Sequence, residues 1–144
     1  MEQQQETNLT SDEKLLSMLC HLSLFFGGLV IPIVIYFIQK GKSKFVAFNA
    51  LETIYFHIFY IVVVFVAAFV ITIVVSIGAM ASTTSRNDMS PLAIILIAAA
   101  ALFIFAIVIY FIILAIIASI KSYQGIIKKY PIVGNMAYRQ VYGN

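Results

Sequence analysis

Charge is scarce in this 144-residue chain: Asp, Glu, Lys and Arg make up 10% of it and apolar residues 62%. An ordinary soluble domain has about 25% charged and roughly 45–50% apolar residues. A soluble chain this small cannot hide so much hydrocarbon, so the composition excludes a water-soluble domain and calls for lipid. Cysteine is nearly absent. The single Cys20 excludes an intrachain disulfide and a multi-cysteine metal site. No serine nucleophile elbow, phosphate loop, zinc-ligand spacing or carboxylate pair occurs, and the expectation is a non-enzymatic protein without cofactor or metal. The net charge of +3 does not point to nucleic acid. The basic residues cluster beside the apolar runs, as membrane-flanking charges do, and form no separate basic stripe with interleaved aromatics.

What is present reads as helices in a bilayer. Residues 1–10 are polar and glutamine-rich, and are expected to be disordered. They lack the basic start of a secretory signal, and no small-residue cleavage site follows the first apolar run, so that run is expected to stay in the mature protein. Thr10-Ser11-Asp12-Glu13 has the spacing of a capping box and predicts a helix start. Leu15 to Ile38 is free of Asp, Glu, Lys and Arg but is interrupted by Gly27-Gly28 and Pro32. It reads as one transmembrane span kinked there, with a re-entrant hairpin turning at the glycines as the alternative. The halves of a hairpin fall short of the ~20 residues needed to cross.

A basic turn, Gln39 to Lys44, leads to a second helix predicted from Phe45 to about Met80, in which Ala68, Thr72 and Ser76 share one face. Ser82 to Ser90 reads as a polar loop. Ser90-Pro91 then starts a third span, Leu92 to Ile120. The tail after Lys121 is expected to lie along the membrane surface with Tyr130, Tyr138 and Tyr142 at headgroup level. The expected fold is thus an all-α polytopic membrane protein of three transmembrane helices with an interfacial C-terminal tail. Residues 11–133 form its membrane domain and 134–144 a cytoplasmic tail.

Basic residues set the expected orientation. Lys14 and Arg86 fall on one side, and Lys40, Lys42, Lys44, Lys121, Lys128, Lys129 and Arg139 on the other. The positive-inside bias puts the Lys40–Lys44 turn and the C-terminus in the cytoplasm and the N-terminus outside, in the cell membrane. Lys40, Lys42, Lys44, Lys128 and Lys129 are candidate contacts to lipid headgroups. The expected partners are the bilayer, further copies of the chain, or other membrane subunits.

The chemistry concentrates between Phe45 and Tyr60. Glu52 is the only acid in an apolar span, and Asn49, Thr53 and His57 accompany it within about 140° of the helix surface. Such residues in lipid face protein or water. Either they join helices, with Glu52 paired to a lysine such as Lys44 or Lys121, or they line a path for a substrate or proton. His21 and His57 invite a haem reading, but three spans set them roughly 20 Å apart along the membrane normal. Only the hairpin alternative brings them nearer.

Three pieces recur in order: HLSLFFGGLVIPIVIYFIQK, KSKFVAFNALETIYFHI and ASIKSYQGIIKKYPI. In these the chain resembles a bacterial membrane family of unknown function related to the twenty-kilodalton Tic subunit of chloroplast protein import. Leu51-Glu52 matches that family's pattern in part, and the plastid proteins have four spans. The resemblance implies a non-enzymatic subunit or scaffold, tied to protein translocation or envelope maintenance. A small transporter or ion-conducting oligomer lined by Asn49, Glu52, Thr53 and His57 is the alternative.

Overall fold

The computed structural model describes residues 8–81 and 91–143. Its helices are α1 (Ser11–Leu22), α2 (Val30–Gln39), α3 (Lys44–Ala81), α4 (Pro91–Tyr123) and α5 (Val133–Tyr142), and a single 3-10 turn, Ser23–Phe25, follows α1. The loop expected at Ser82 to Ser90 and the first seven residues lie outside the described residues. Two compact units are formed, one by Met1–Tyr60 with Ile112–Asn144 and the other by Ile61–Phe111.

Among the described residues two helices, not three, are long and apolar enough to cross a membrane: Lys44–Gly78 within α3 and Ile94–Tyr123 within α4. The expected first span does not form as one helix. Residues 15–38 fold as a helical hairpin, the alternative left open by the glycine pair. Local chemistry explains the break. Ser23 Oγ donates to the Cys20 carbonyl at 2.6 Å, and the amides of Phe26, Gly27 and Gly28 all turn back to the Ser23 carbonyl. Gly28 then takes φ +49°, a left-handed conformation that a Cβ would strain. Pro32 opens α2 as its third residue, where no intrahelical partner for its missing amide is needed, and so starts a helix rather than kinking one.

The ends of the hairpin meet. Leu16 of α1 packs on the same apolar cluster as Ile35 and Tyr36 of α2. That cluster is built on Phe45, Val46, Phe48 and Leu51 at the start of α3, with Ile127 and Ala137. Burying each of the two phenylalanines contributes about 2 kcal/mol. The capping box expected at Thr10 forms: its hydroxyl accepts from the Glu13 amide at 3.2 Å, and the Glu13 carboxylate accepts from the Thr10 amide at 2.8 Å. Ser43 caps α3 in turn, accepting from the Val46 amide at 3.3 Å.

The tail is structured as well. Residues 133–142 form α5, which packs Tyr138 and Tyr142 edge-on and tilted against Phe48. Tyr55 Oη donates to Gln140 Oε1 at 2.5 Å. Tyr130, expected at headgroup level, is only 3% exposed. Its ring stacks on Phe56 at 4.0 Å, which removes it from the surface.

In the other unit α3 and α4 expose long apolar side chains such as Phe65, Phe69, Leu102 and Phe105. Thr72 and Ser76 line a groove of about 430 Å³ with Ala100 and Ala101. The small residues expected on one face of the second helix therefore look toward the small-residue patch of the third apolar run. The Thr72 hydroxyl is satisfied within its own helix, donating to the Ala68 carbonyl at 2.8 Å.

Candidate functional site: a buried polar latch

Asn49, Glu52, Thr53 and His57 project from the first turns of α3, and all four are buried. The hairpin turns His21 of α1 onto this ridge. His21 Nε2 lies 3.0 Å from Asn49 Oδ1, and its Nδ1 lies 3.0 Å from both Thr53 Oγ1 and Tyr130 Oη. The large axial separation expected between His21 and His57 rested on a single kinked span and does not hold.

The network fixes its own protons. Asn49 Nδ2 donates to the Phe45 carbonyl at 2.8 Å, which sets the amide and leaves Oδ1 as acceptor. Ser122 Oγ donates to that oxygen at 2.7 Å, and His21 Nε2–H donates to it as well. His21 is therefore the neutral tautomer with an accepting Nδ1. Thr53 directs its hydrogen to the Asn49 carbonyl at 2.8 Å, so the Tyr130 hydroxyl is the donor to Nδ1. Burial, opposed by the Asn49 bond, pushes the His21 imidazole down to about 4. Burial together with the nearby Glu52 carboxylate holds the Tyr130 phenol well above its ordinary value.

Glu52 closes the latch from the other side. Its Oε1 accepts from the Tyr130 amide at 2.6 Å, and neither Lys44 nor Lys121 takes the expected role of partner. Gly134 makes this approach possible. A Cβ built there meets Glu52 Oε1 at 2.5 Å and the Lys129 Cβ at 2.7 Å, so no larger residue fits. Glu52 Oε2 has no hydrogen-bond partner among the described residues. His57 Nδ1–H donates to the Thr53 carbonyl at 2.8 Å, and its Nε2 is buried without a partner among the described residues. Both ring nitrogens of His21 are engaged within the unit, Nε2 with Asn49 and Nδ1 with Tyr130. Among the described residues no cluster of three or more His, Cys, Asp or Glu is arranged to hold a metal ion.

The candidate headgroup lysines border the same unit. Lys40, Lys42 and Lys44 are exposed and Lys128 and Lys129 half-buried. Lys129 Nζ sits 3.5 Å from the Tyr138 ring centroid, Lys44 Nζ 5.9 Å from that of Tyr142, and Lys40 Nζ 5.0 Å from that of Phe37. The tyrosine pair is itself stacked at 4.7 Å.

Sequence reasoning found the α3 ridge but missed His21, Ser122, Tyr130 and Gly134 as its partners. One signal was available: a mid-run histidine and a ridge of unpaired polar groups each needed a partner in lipid, and each could supply the other.

A family model, the magnetosome magnetite crystal formation protein family, matches residues 12–137. No curated protein and no solved structure matches the chain significantly. The finding corrects the resemblance to the Tic-related family and removes the protein-translocation role that came with it. The three pieces that carried the resemblance are mostly apolar residues punctuated by glycine, proline and lysine. Their order records a hairpin, a basic turn and a closing loop, an architecture that does not specify a task. By the match across nearly its whole length, the chain belongs to the magnetosome magnetite crystal formation protein family (MamF/MmsF).

Proposed function

We propose that this protein is a non-enzymatic structural subunit of a membrane that bounds a forming mineral, and that it supports magnetite crystal formation by organising that membrane. The family match supports the setting. One observation carries the structural role. Asn49, Thr53 and Glu52, which could have lined a path, each take a partner within the chain: Asn49 takes His21 and Ser122, Thr53 takes the Asn49 carbonyl, and Glu52 takes the Tyr130 amide. A ridge committed to these bonds joins α1, α3, α4 and the 124–132 segment into one unit; of its buried polar atoms, Glu52 Oε2 and His57 Nε2 are without a partner among the described residues.

On this reading α3 and α4 cross the bilayer, while the hairpin starts and ends on the side where both termini lie. Lys14 stands beside Gly125, and the Lys40–Lys44 turn leads directly into α3. Eight of the chain's nine basic residues belong to this unit, so the positive-inside bias places it, with both termini, on the cytoplasmic face. Further copies or other membrane subunits are its protein partners, and the groove at Thr72, Ser76, Ala100 and Ala101, walled also by Ile71, Val75, Ile97 and Ile104, is a surface on which a helix can pack.

Reconstituted vesicles test the function. Vesicles carrying the chain are expected to leak protons and metal ions no faster than protein-free vesicles, with Glu52→Gln unchanged. Magnetite co-precipitated at their surface is expected to differ in crystal size from magnetite grown on bare lipid. A flux that Glu52→Gln abolishes would replace this account with the transporter alternative. Identical crystals on both surfaces would remove the mineral role.

A further inference from the structure

The α1–α2 hairpin has an apolar face that its unit leaves uncovered. Phe25 and Phe26 at the tip and Val30, Val34, Phe37 and Ile38 along α2 are 50% to 68% exposed. A contiguous surface of this kind marks an interaction site.

Its depth is set by the helices beside it. Leu16 packs on the cluster that Phe45, Val46 and Phe48 begin, and His21, later in α1, lies at the level of Asn49 and Thr53, so α1 runs alongside the first turns of a candidate span, in the same direction. The 12 residues of α1 carry the chain about 18 Å, against a hydrocarbon core of about 30 Å. The tip therefore stops near mid-bilayer, and the 10 residues of α2 bring the chain back. Lipid reaches this level, because Ile113, Ile116 and Ile120 of α4 in the same unit are also exposed. At its base the hairpin ends in Lys40, which lies over the Phe37 ring, and in exposed Lys42. These are placed for the phosphates of the same leaflet.

We propose that this hairpin is a one-leaflet insertion that makes the protein a sensor of membrane curvature. Its occupant is the acyl-chain layer of the leaflet on the basic side. The two spans displace lipid through both leaflets, and the hairpin adds cross-section to one. That addition is favourable where the leaflet is stretched, on the convex face of a bent membrane. Shallow apolar insertion flanked by basic residues is curvature-sensitive for this reason. The proposal rests on the two-span reading given above.

The full chain can be tested in giant vesicles of phosphatidylcholine and phosphatidylglycerol. Met136→Cys, on the exposed face of α5, is labelled with an impermeant fluorophore from outside, so that only copies with the basic side outward are seen. On a pulled tether the ratio of protein density to that of the parent vesicle is expected to exceed one. It is expected to fall to one when Phe26→Ser and Val34→Ser are added. A ratio of one for the parent, or no change in the double variant, would overturn the proposal. A spin label at Phe26→Cys in the otherwise native chain gives a second measurement, independent of how the serine variants fold. It is expected to be accessible to oxygen and shielded from aqueous nickel, and the reverse would also overturn the proposal. A label at Phe105→Cys separates the two levels of the argument. If Phe105 is water-accessible, the two-span reading has failed; if only Phe26 is, the hairpin has.

Discussion

Replacing Asn49 by alanine removes the one acceptor shared by His21 Nε2–H and Ser122 Oγ–H, 3.0 Å and 2.7 Å away. Both donors belong to side chains no more than 1% exposed, so neither can turn to water. A buried donor left without an acceptor costs about 1–3 kcal/mol. Ser122 can recover part of this by turning to a carbonyl of its own helix, whereas the imidazole, held by the Tyr130 hydroxyl, cannot. Asn49→Ala is therefore expected to destabilise the protein by about 3 kcal/mol. Ser122→Ala deletes one donor and leaves Asn49 Oδ1 still paired with His21, for a cost of about 1 kcal/mol. The assay is unfolding of the purified protein in mixed micelles by added sodium dodecyl sulfate, followed by helical circular dichroism. Pairing Asn49→Ala with His21→Phe removes the orphaned donor along with its acceptor, so the double variant should cost less than the sum of the singles. Equal costs for Asn49→Ala and Ser122→Ala, or strict additivity in the double variant, would refute the shared-acceptor network.

Three further outcomes follow from the same geometry. Gly134→Ala puts a methyl 2.5 Å from Glu52 Oε1; it is expected to cost about 1–3 kcal/mol and to speed tryptic cleavage after Lys128 and Lys129, read by mass spectrometry. Ile132 precedes α5 at φ +69° with its side chain 69% exposed, so it bears left-handed strain and gains little from packing; Ile132→Gly is expected to raise stability by about 1 kcal/mol in the same unfolding assay. His21 titrates near 4 when folded against 6.5 ordinarily, so the unfolded chain binds more protons between those values. Stability is expected to be complete above pH 6.5 and to fall as pH drops toward 4, by up to about 3 kcal/mol, in unfolding curves that His21→Gln flattens.

Much of the fold was legible wherever a local rule decided the outcome. The capping box at Thr10, the proline start of α4 at Pro91 and the polar face of α3 all follow from residues within one or two turns of each other. Local bonds at Ser23 shape the break, but they did not by themselves decide the hairpin. Gly27-Gly28 permits a kink or a turn, and the choice rests on what Leu16, Ile35 and Tyr36 find to pack against, namely a cluster on α3. The same gap hid the site. Asn49 was recognisable as a polar group in need of partners, but those partners sit 28 and 73 positions away, at His21 and Ser122. Tyr130 was misplaced because a tyrosine beside lysines near a span end ordinarily reads as an interfacial anchor. Stacking on Phe56 and two hydrogen bonds outweigh that tendency here. Function was least legible, since the motifs along the chain describe how the helices turn rather than what the protein contributes to its membrane.

The number of crossings is the claim on which the rest depends, and sidedness of labelling tests it most directly. Asp12 and Met136 are both exposed, while the single native cysteine, Cys20, is fully buried, so the unsubstituted chain serves as the blank. With Asp12→Cys and Met136→Cys placed singly in membranes of known orientation, an impermeant maleimide is expected to modify both from the same, cytoplasmic face. Modification of Asp12→Cys from one face and Met136→Cys from the other would restore three crossings and contradict the hairpin.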